Sequence, residues 1–218
     1  MERESAMKRT IDIETWNRKE HFEFFGNFEE PIYGITADVE CTGAYKQAKE
    51  TGGSFFLLYL HCSLAAVNRV EELRIRVEDG QPVVYDQVHA ASTIGRPDNT
   101  FGMSFIPYEE DFSVFAEHGK REIARVQSSP GLAWIPETGR SDVIHYSAIP
   151  WIKFTSVSHV RNFSRYESVP KISFGKTYTH DNRLYMPVSV HVNHGLVDGY
   201  HISQYLETFE TLMNEGIR

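Results

Sequence analysis

The stretch MPVSVHVNHGLVDGYH, residues 186–201, holds the junction on which the fold turns. Its first half reads as a strand, in which Val188, Val190 and Val192 alternate with Ser189, His191 and Asn193. Near Asp198 the period changes. Tyr205, Leu206, Phe209, Leu212 and Met213 recur at helical spacing, and Gly216 follows where a C-cap glycine belongs. Asp198 is a good N-cap, and its charge suits the positive end of a helix dipole. A strand thus delivers His191, His194 and His201 to a strand-to-helix junction. Such junctions are places where a rigid sheet presents side chains to ligands.

Working outward, KISFGKTYTHDNRLYMPVSVHVN (residues 171–193) reads as two strands joined at HDNR. IYGITADVE (32–40) and NTFGMSFIPY (99–108) read as further strands. Alternation on both sides of Asp79-Gly80, across residues 72–91, is a hairpin signal. DVIHYSAIPWIKFTSVSHV (142–160) gives a strand, a proline break and a second extended piece. GGSFFLLYLHCSLAAVNRV (52–70) is apolar nearly all round and too long for one strand, so it reads as a buried helix. Residues 110–128 form an amphipathic pattern with an acidic start, that of a surface helix. Residues 15–25 read as a short helix or a turn. Strands mixed with a few helices in irregular order predict an α/β fold, a two-layer sandwich with a mixed β-sheet.

No Pro/Gly/Ser-rich linker and no repeat divides the 218 residues, so one domain is expected over 8–218, with residues 1–7 as a disordered extension. The formal net charge of -8 and the lack of a Lys/Arg run argue against nucleic acid as a partner. Cys41 and Cys62 are too few for a disulfide framework, and Cys62 sits in an apolar run, as a buried thiol does. The charged start is no signal peptide, and the longest apolar stretch is too short to span a bilayer. A cytoplasmic location is expected.

Metal ligation, structural support and catalysis compete for the histidines. HxxH on a strand and turn does not align two imidazoles as a helical i, i+4 pair does. No Cys or Glu completes a recognised set, so no metal is expected. Spacing alone favours a structural reading, with a hydrogen-bonded His194 closing the strand beside an N-capping Asp198. A general base would use the same ring differently, because histidine titrates near neutrality and can take and return a proton within one cycle.

The segment HGLVDG, residues 194–199, matches the HxxxDG signature of coenzyme A-dependent acyltransferases. WNRKEHFEFF (16–25), AVNRVEELR (66–74), SAIPW (147–151) and MPVSVHVNHGLVDGYH (186–201) resemble type A chloramphenicol acetyltransferases in order and spacing. The likeness runs from about residue 11 to 213 and includes no lipoyl segment, so the related dihydrolipoyl acyltransferases fit less well. It implies an enzyme that moves an acetyl group from acetyl-CoA to a hydroxyl of a small molecule, with no acyl-enzyme. It implies a homotrimer with active sites at subunit interfaces.

The resemblance assigns His194 as the base and Ser147 as the donor to the tetrahedral oxyanion. Asp198 falls on a structural aspartate paired with an arginine, here Arg18. Ser173 falls on a threonine that holds a water near the oxyanion. Lys176, Phe56 and Tyr178 fall near the coenzyme, with Phe56 in place of a tyrosine and Ser54 in place of a second lysine. The acceptor pocket is implied at Phe24, Phe25, Tyr33, His159 and Lys171. Here the chain departs from the family: Phe25 lacks a tyrosine hydroxyl, Pro31 replaces a small or sulfur residue, and His159 and Lys171 replace leucine and isoleucine. Chloramphenicol is the acceptor the family implies, whereas Lys171 would suit one with a carboxylate or phosphate. A non-catalytic small-molecule binder on the same scaffold and a metal-dependent hydrolase are the competing readings.

Overall fold

A computed structural model describes residues 7–161, 164 and 166–216. Of the extension expected over residues 1–7, positions 1–6 lie outside the described residues. Met7 is described, and its carbonyl accepts the Asp86 amide at 3.0 Å.

The larger sheet places strands in the order β2 (Ile32–Glu40), β10 (Arg183–Asn193), β8 (Lys171–Gly175), β7 (Val143–Ile149), β5 (His89–Gly95) and β6 (Phe101–Ile106). β7 runs parallel to β5 and β8, and the other pairs are antiparallel, so the sheet is mixed as predicted. A short strand β9 (Tyr178–His180) also pairs with β10, so the two strands read in residues 171–193 are three. A second sheet orders β1 (Lys8–Thr10), β4 (Gln81–Tyr85) and β3 (Ile75–Glu78). β3 and β4 are the predicted hairpin, with Asp79 and Gly80 at φ 50° and 79°. Among the described residues between Pro150 and Lys171, none joins a sheet.

One face of the large sheet is the core. Ile172, Phe174, Val188 and Val190 alternate onto it and are buried. Helix α3 (Phe55–Asn68) lies within that core, apolar on nearly every side as its sequence demanded. Its Ser63 hydroxyl joins Tyr146 of β7 at 3.1 Å and Tyr205 of α5 (Gly199–Glu215) at 2.7 Å, tying sheet and both helices together. Helix α4 (Phe112–Ser128) packs on β6, where Val126 lies against Gly102, and turns Phe115 toward His61 of α3. Helix α1 is the short piece Lys19–Phe25. Helix α2 (Thr42–Thr51) has no counterpart in the sequence reading, because only the small Ala44 and Ala48 face inward. The Gly52-Gly53 pair read as a helix start instead closes α2, with Gly52 left-handed at φ 65°. Cys41 and Cys62 are both free and buried, and burial raises each thiol to about 12.

Candidate active site

The junction after β10 forms around Asn193. Its carbonyl accepts the amides of Leu196 and Val197 at 3.0 Å each, and its Oδ1 accepts the Gly195 amide at 2.9 Å. The chain therefore turns at once, and Asp198 caps α5. Its carboxylate accepts the Tyr200 amide at 3.0 Å, while the Asp198 amide donates to His201 Nδ1 at 3.1 Å. This reciprocal arrangement satisfies two donors that a helix start otherwise leaves bare. It accounts for His201, which closes a capping box.

Arg18, at the start of α1, reaches across to this turn. Its Nη1 meets Asp198 Oδ2 at 2.7 Å, and its Nη2 donates to the His194 carbonyl at 3.4 Å. The side chain of Arg18 is buried, whereas that of Asp198 keeps 32% exposure. Burial alone would raise the Asp198 carboxyl. The Arg18 hydrogen bond, the His201 and Arg18 charges and the Tyr200 amide outweigh it and hold the carboxyl below its ordinary value.

His194 sits between two rings of its own chain. Phe25 stacks on it at 4.2 Å and Tyr33 at 4.4 Å, at 25° and 15° to its plane. Its amide donates to the Pro31 carbonyl at 2.7 Å. Its Nδ1 lies 3.3 Å from the Val197 carbonyl. A carbonyl only accepts, so this contact places the proton on Nδ1 and leaves Nε2 with a lone pair.

Ser147 lies elsewhere in the chain. It is in register with Ser173, Ser173 with Ser189, and Ser189 with Thr36. A row of hydroxyls thus crosses four strands on the face away from the core, and Thr36 Oγ1 donates to Ser189 Oγ at 3.0 Å. His194 follows the end of β10, whose last residue lies four residues past Ser189, or about 13 Å at the rise of a strand. A cavity of about 490 Å³ opens over this face, lined by Ser147, His145, His159, Lys171, Trp134 and Met103 among others. The implied acceptor residues therefore divide within one chain. Phe25 and Tyr33 flank His194, exposed Phe24 packs on Phe25, and His159 and Lys171 line the Ser147 cavity. Lys171 is not a free cation, since its ammonium pairs with Glu167. Ser173 is fully buried, with His159 Nε2 at 3.3 Å from its hydroxyl.

The residues implied for the coenzyme lie near the C-terminal end of β8. Phe56, in the first turn of α3, packs edge-on to Tyr59, whose ring meets Phe174 at 4.7 Å. The exposed Lys176 donates its amide to the Ile152 carbonyl at 2.9 Å. Tyr178 lies under Lys153 Nζ, 3.5 Å from its ring centroid. Ser54, read as a lost lysine, caps α3 by accepting the Leu57 amide at 3.3 Å.

His145 and Lys153 were not singled out in the sequence. For His145 the signal was there: it stands two residues before Ser147 on one strand, so both share a face. Nothing local could reveal Lys153, because Tyr178 comes to it from another strand. Among the described residues, no group of three His, Cys, Asp or Glu side chains could hold a metal ion, and no helix is long and apolar enough to cross a membrane.

The family model "Chloramphenicol acetyltransferase" matches residues 7–210. A chloramphenicol acetyltransferase of Clostridium perfringens is 32% identical over 206 residues, 93% of either chain. One from Escherichia coli is 29% identical over 217 residues, 99% of this chain and 98% of the relative. A solved chloramphenicol acetyltransferase superposes with a TM-score of 0.89 at 34% identity, over 95% of this chain and all of that one. A dihydrolipoamide acetyltransferase of Azotobacter vinelandii shares the fold at a TM-score of 0.65 and 16% identity, over 97% of this chain and 91% of that one. The chain therefore belongs to the chloramphenicol acetyltransferase family of acetyl-CoA-dependent acyltransferases.

Proposed function

We propose that the protein transfers the acetyl group of acetyl-CoA directly to a hydroxyl of a small molecule, with His194 as general base and no acyl-enzyme. The observation that carries this reading is the Nδ1 contact to the Val197 carbonyl, which leaves Nε2 as the basic atom on a ring clamped by Phe25 and Tyr33. Nε2 takes the acceptor's proton as its oxygen attacks the thioester carbonyl, then returns it to the departing thiolate. Ser147 donates to the oxyanion in between. Ser173, beside it in register, belongs to the same polar row as the place for an ordered water. Asp198 and Arg18 hold the turn that aims His194. Lys176, Phe56 and Tyr178 receive the coenzyme, with Lys176 toward its phosphates.

His194 and Ser147 act together only across two copies of the chain in this reading. Their separation along the sheet supports a homotrimer in which His194 of one protomer faces the Ser147 cavity of its neighbour. Residues 8–218 form one catalytic domain. Chloramphenicol, named by the relatives, is the first acceptor to test. Coenzyme A release from acetyl-CoA, followed with a thiol reagent across a panel of alcohols, provides the assay. His194→Ala should lower turnover by about 100- to 10,000-fold. Undiminished turnover would remove the base assignment, and a monomeric active enzyme would remove the shared site.

A further inference from the structure

We propose that the cavity beside Ser147 takes an acceptor that carries an anionic group, a carboxylate or a phosphate ester, along with its reacting hydroxyl. Lys171, His145 and His159 hold that group. The proposal rests on the acyl-transfer reading and adds a substrate class to it.

The cavity's geometry carries the argument. His145, Lys171 and His191 are in register across β7, β8 and β10, one row from Ser147, Ser173 and Ser189 on the same face. His191 lies flat over Gly34, where a Cβ would come within 2.6 Å of its ring. His159 meets His191 edge to face at 4.9 Å. Four basic side chains are thus gathered on a face that also carries hydroxyls and, in the cavity wall, the apolar Met103, Trp134, Val160 and Val169. His145 lines the cavity, and among the described residues neither of its ring nitrogens has a hydrogen-bond partner. An apolar acceptor would leave the His145 ring nitrogens with no partner but water, which disfavours it.

The charges point the same way. Burial comes first in lowering all three imidazoles, and the neighbouring charges that add to it are basic: Lys171, Arg76 and His159 on His145; His191, Lys171 and Arg161 on His159; and Arg161 and Lys171 on His191. His159 falls to about 4 and is neutral near pH 7; His145 is lowered in the same direction, although its side chain stays exposed to solvent, which moderates the fall. The carboxylates nearby are partly engaged: Glu30 pairs with Arg161 at 2.5 Å, Asp142 with Arg140, and Glu167 gives Oε1 to Lys171 while its Oε2 is buried with no hydrogen-bond partner among the described residues. Glu167 accepts a hydrogen bond from one ammonium N–H and leaves the others for a ligand. An anion entering the cavity favours the charged form of an imidazole and draws a proton onto it.

Matched alcohols test this on the full-length protein. Para-hydroxymethylbenzoate, para-hydroxymethylphenyl phosphate and para-methylbenzyl alcohol are titrated calorimetrically without an acyl donor, then offered as acceptors with acetyl-CoA. An anionic alcohol should bind at least about tenfold more tightly than the neutral one, the scale of one charge-assisted hydrogen bond. Its binding heat should vary with the buffer's ionisation enthalpy, which reports proton uptake. The tighter of the two anionic compounds identifies carboxylate or phosphate. Lys171→Met combined with Glu167→Gln, which removes the ion pair as a unit, should erase most of the preference, and Lys171→Arg should retain it. Equal or tighter binding of the neutral alcohol by the unaltered protein overturns the proposal, with or without turnover. A binding preference for anions with no transfer to any of the three would uphold the anion site, and the added failure of chloramphenicol to release coenzyme A would overturn the acyl-transfer reading instead.

Discussion

Replacing Asp198 by Asn keeps the shape of the side chain and its capping oxygen but removes the charge that faces Arg18. Arg18 is only 8% exposed, so its guanidinium loses a carboxylate at 2.7 Å with little water to replace it. A hydrogen bond between charged groups contributes about 1.5–3 kcal/mol, and breaking a fully buried pair costs about 3–5 kcal/mol. Asp198 retains 32% exposure, which argues for the lower range, about 2 kcal/mol. For a chain of this length that is a fall in melting temperature of about 4–8 °C. Asp198→Ala also loses the helix cap and should cost about 1 kcal/mol more. The pH dependence has a definite sign. The folded carboxyl titrates below its ordinary value, so its stabilisation is fully present above the unfolded value of about 3.9 and is lost as the pH falls through the folded one. The gap between wild type and Asp198→Asn should therefore be full near neutrality and shrink below about pH 4. Differential scanning calorimetry at fixed protomer concentration measures it. An Asn variant that melts with the wild type near neutrality, or a gap that stays constant into acid, refutes the clamp.

Ser147→Ala should lower kcat by about 100- to 1000-fold with little change in KM for the acceptor, and unchanged kcat in steady-state kinetics would remove Ser147 from the oxyanion. Ser63→Ala leaves the buried hydroxyls of Tyr146 and Tyr205 without their shared partner and should cost about 1–3 kcal/mol in urea unfolding, with catalysis intact in the surviving fold. His159 titrates near 4 when folded, so the unfolded chain takes a proton that the native state refuses, and stability falls as the pH drops from the ordinary histidine range toward 4. His159→Gln should flatten that part of the stability profile, and an unchanged slope would place the ring in ordinary solvent.

The parts of the fold most legible in the sequence were those whose burial follows a simple period. Strand β2, helix α3 and the hairpin at Asp79-Gly80 lie where alternation, an all-round apolar run and turn chemistry placed them. Helix α2 was illegible because it packs through two alanines, a contact too small to leave a period. The break between β8 and β9 falls at the polar pair Lys176-Thr177, which interrupts the alternation of the residues before it, although the stretch up to HDNR reads as one strand. The turn bearing His194 could be read, whereas the arginine that grips it came only from the family resemblance, since nothing local ties Arg18 to an aspartate 180 positions away. What spacing could not supply was depth. His145 looked like one more strand residue until the register laid it beside Lys171, and Lys171 looked free until Glu167 came to it from the preceding connection.

Strand β10 lies between β2 and β8, although the chain reaches it only after residue 182. A growing polypeptide therefore makes the outer parts of its large sheet long before the strand that joins them. Until β10 has left the ribosome, β2 has no neighbour within the sheet, and Arg18 waits for an aspartate 180 positions away. Such distant closure is slow, and it leaves strand edges bare during synthesis. A message cut short before residue 183 would yield no smaller working unit, only material for the cell's proteases.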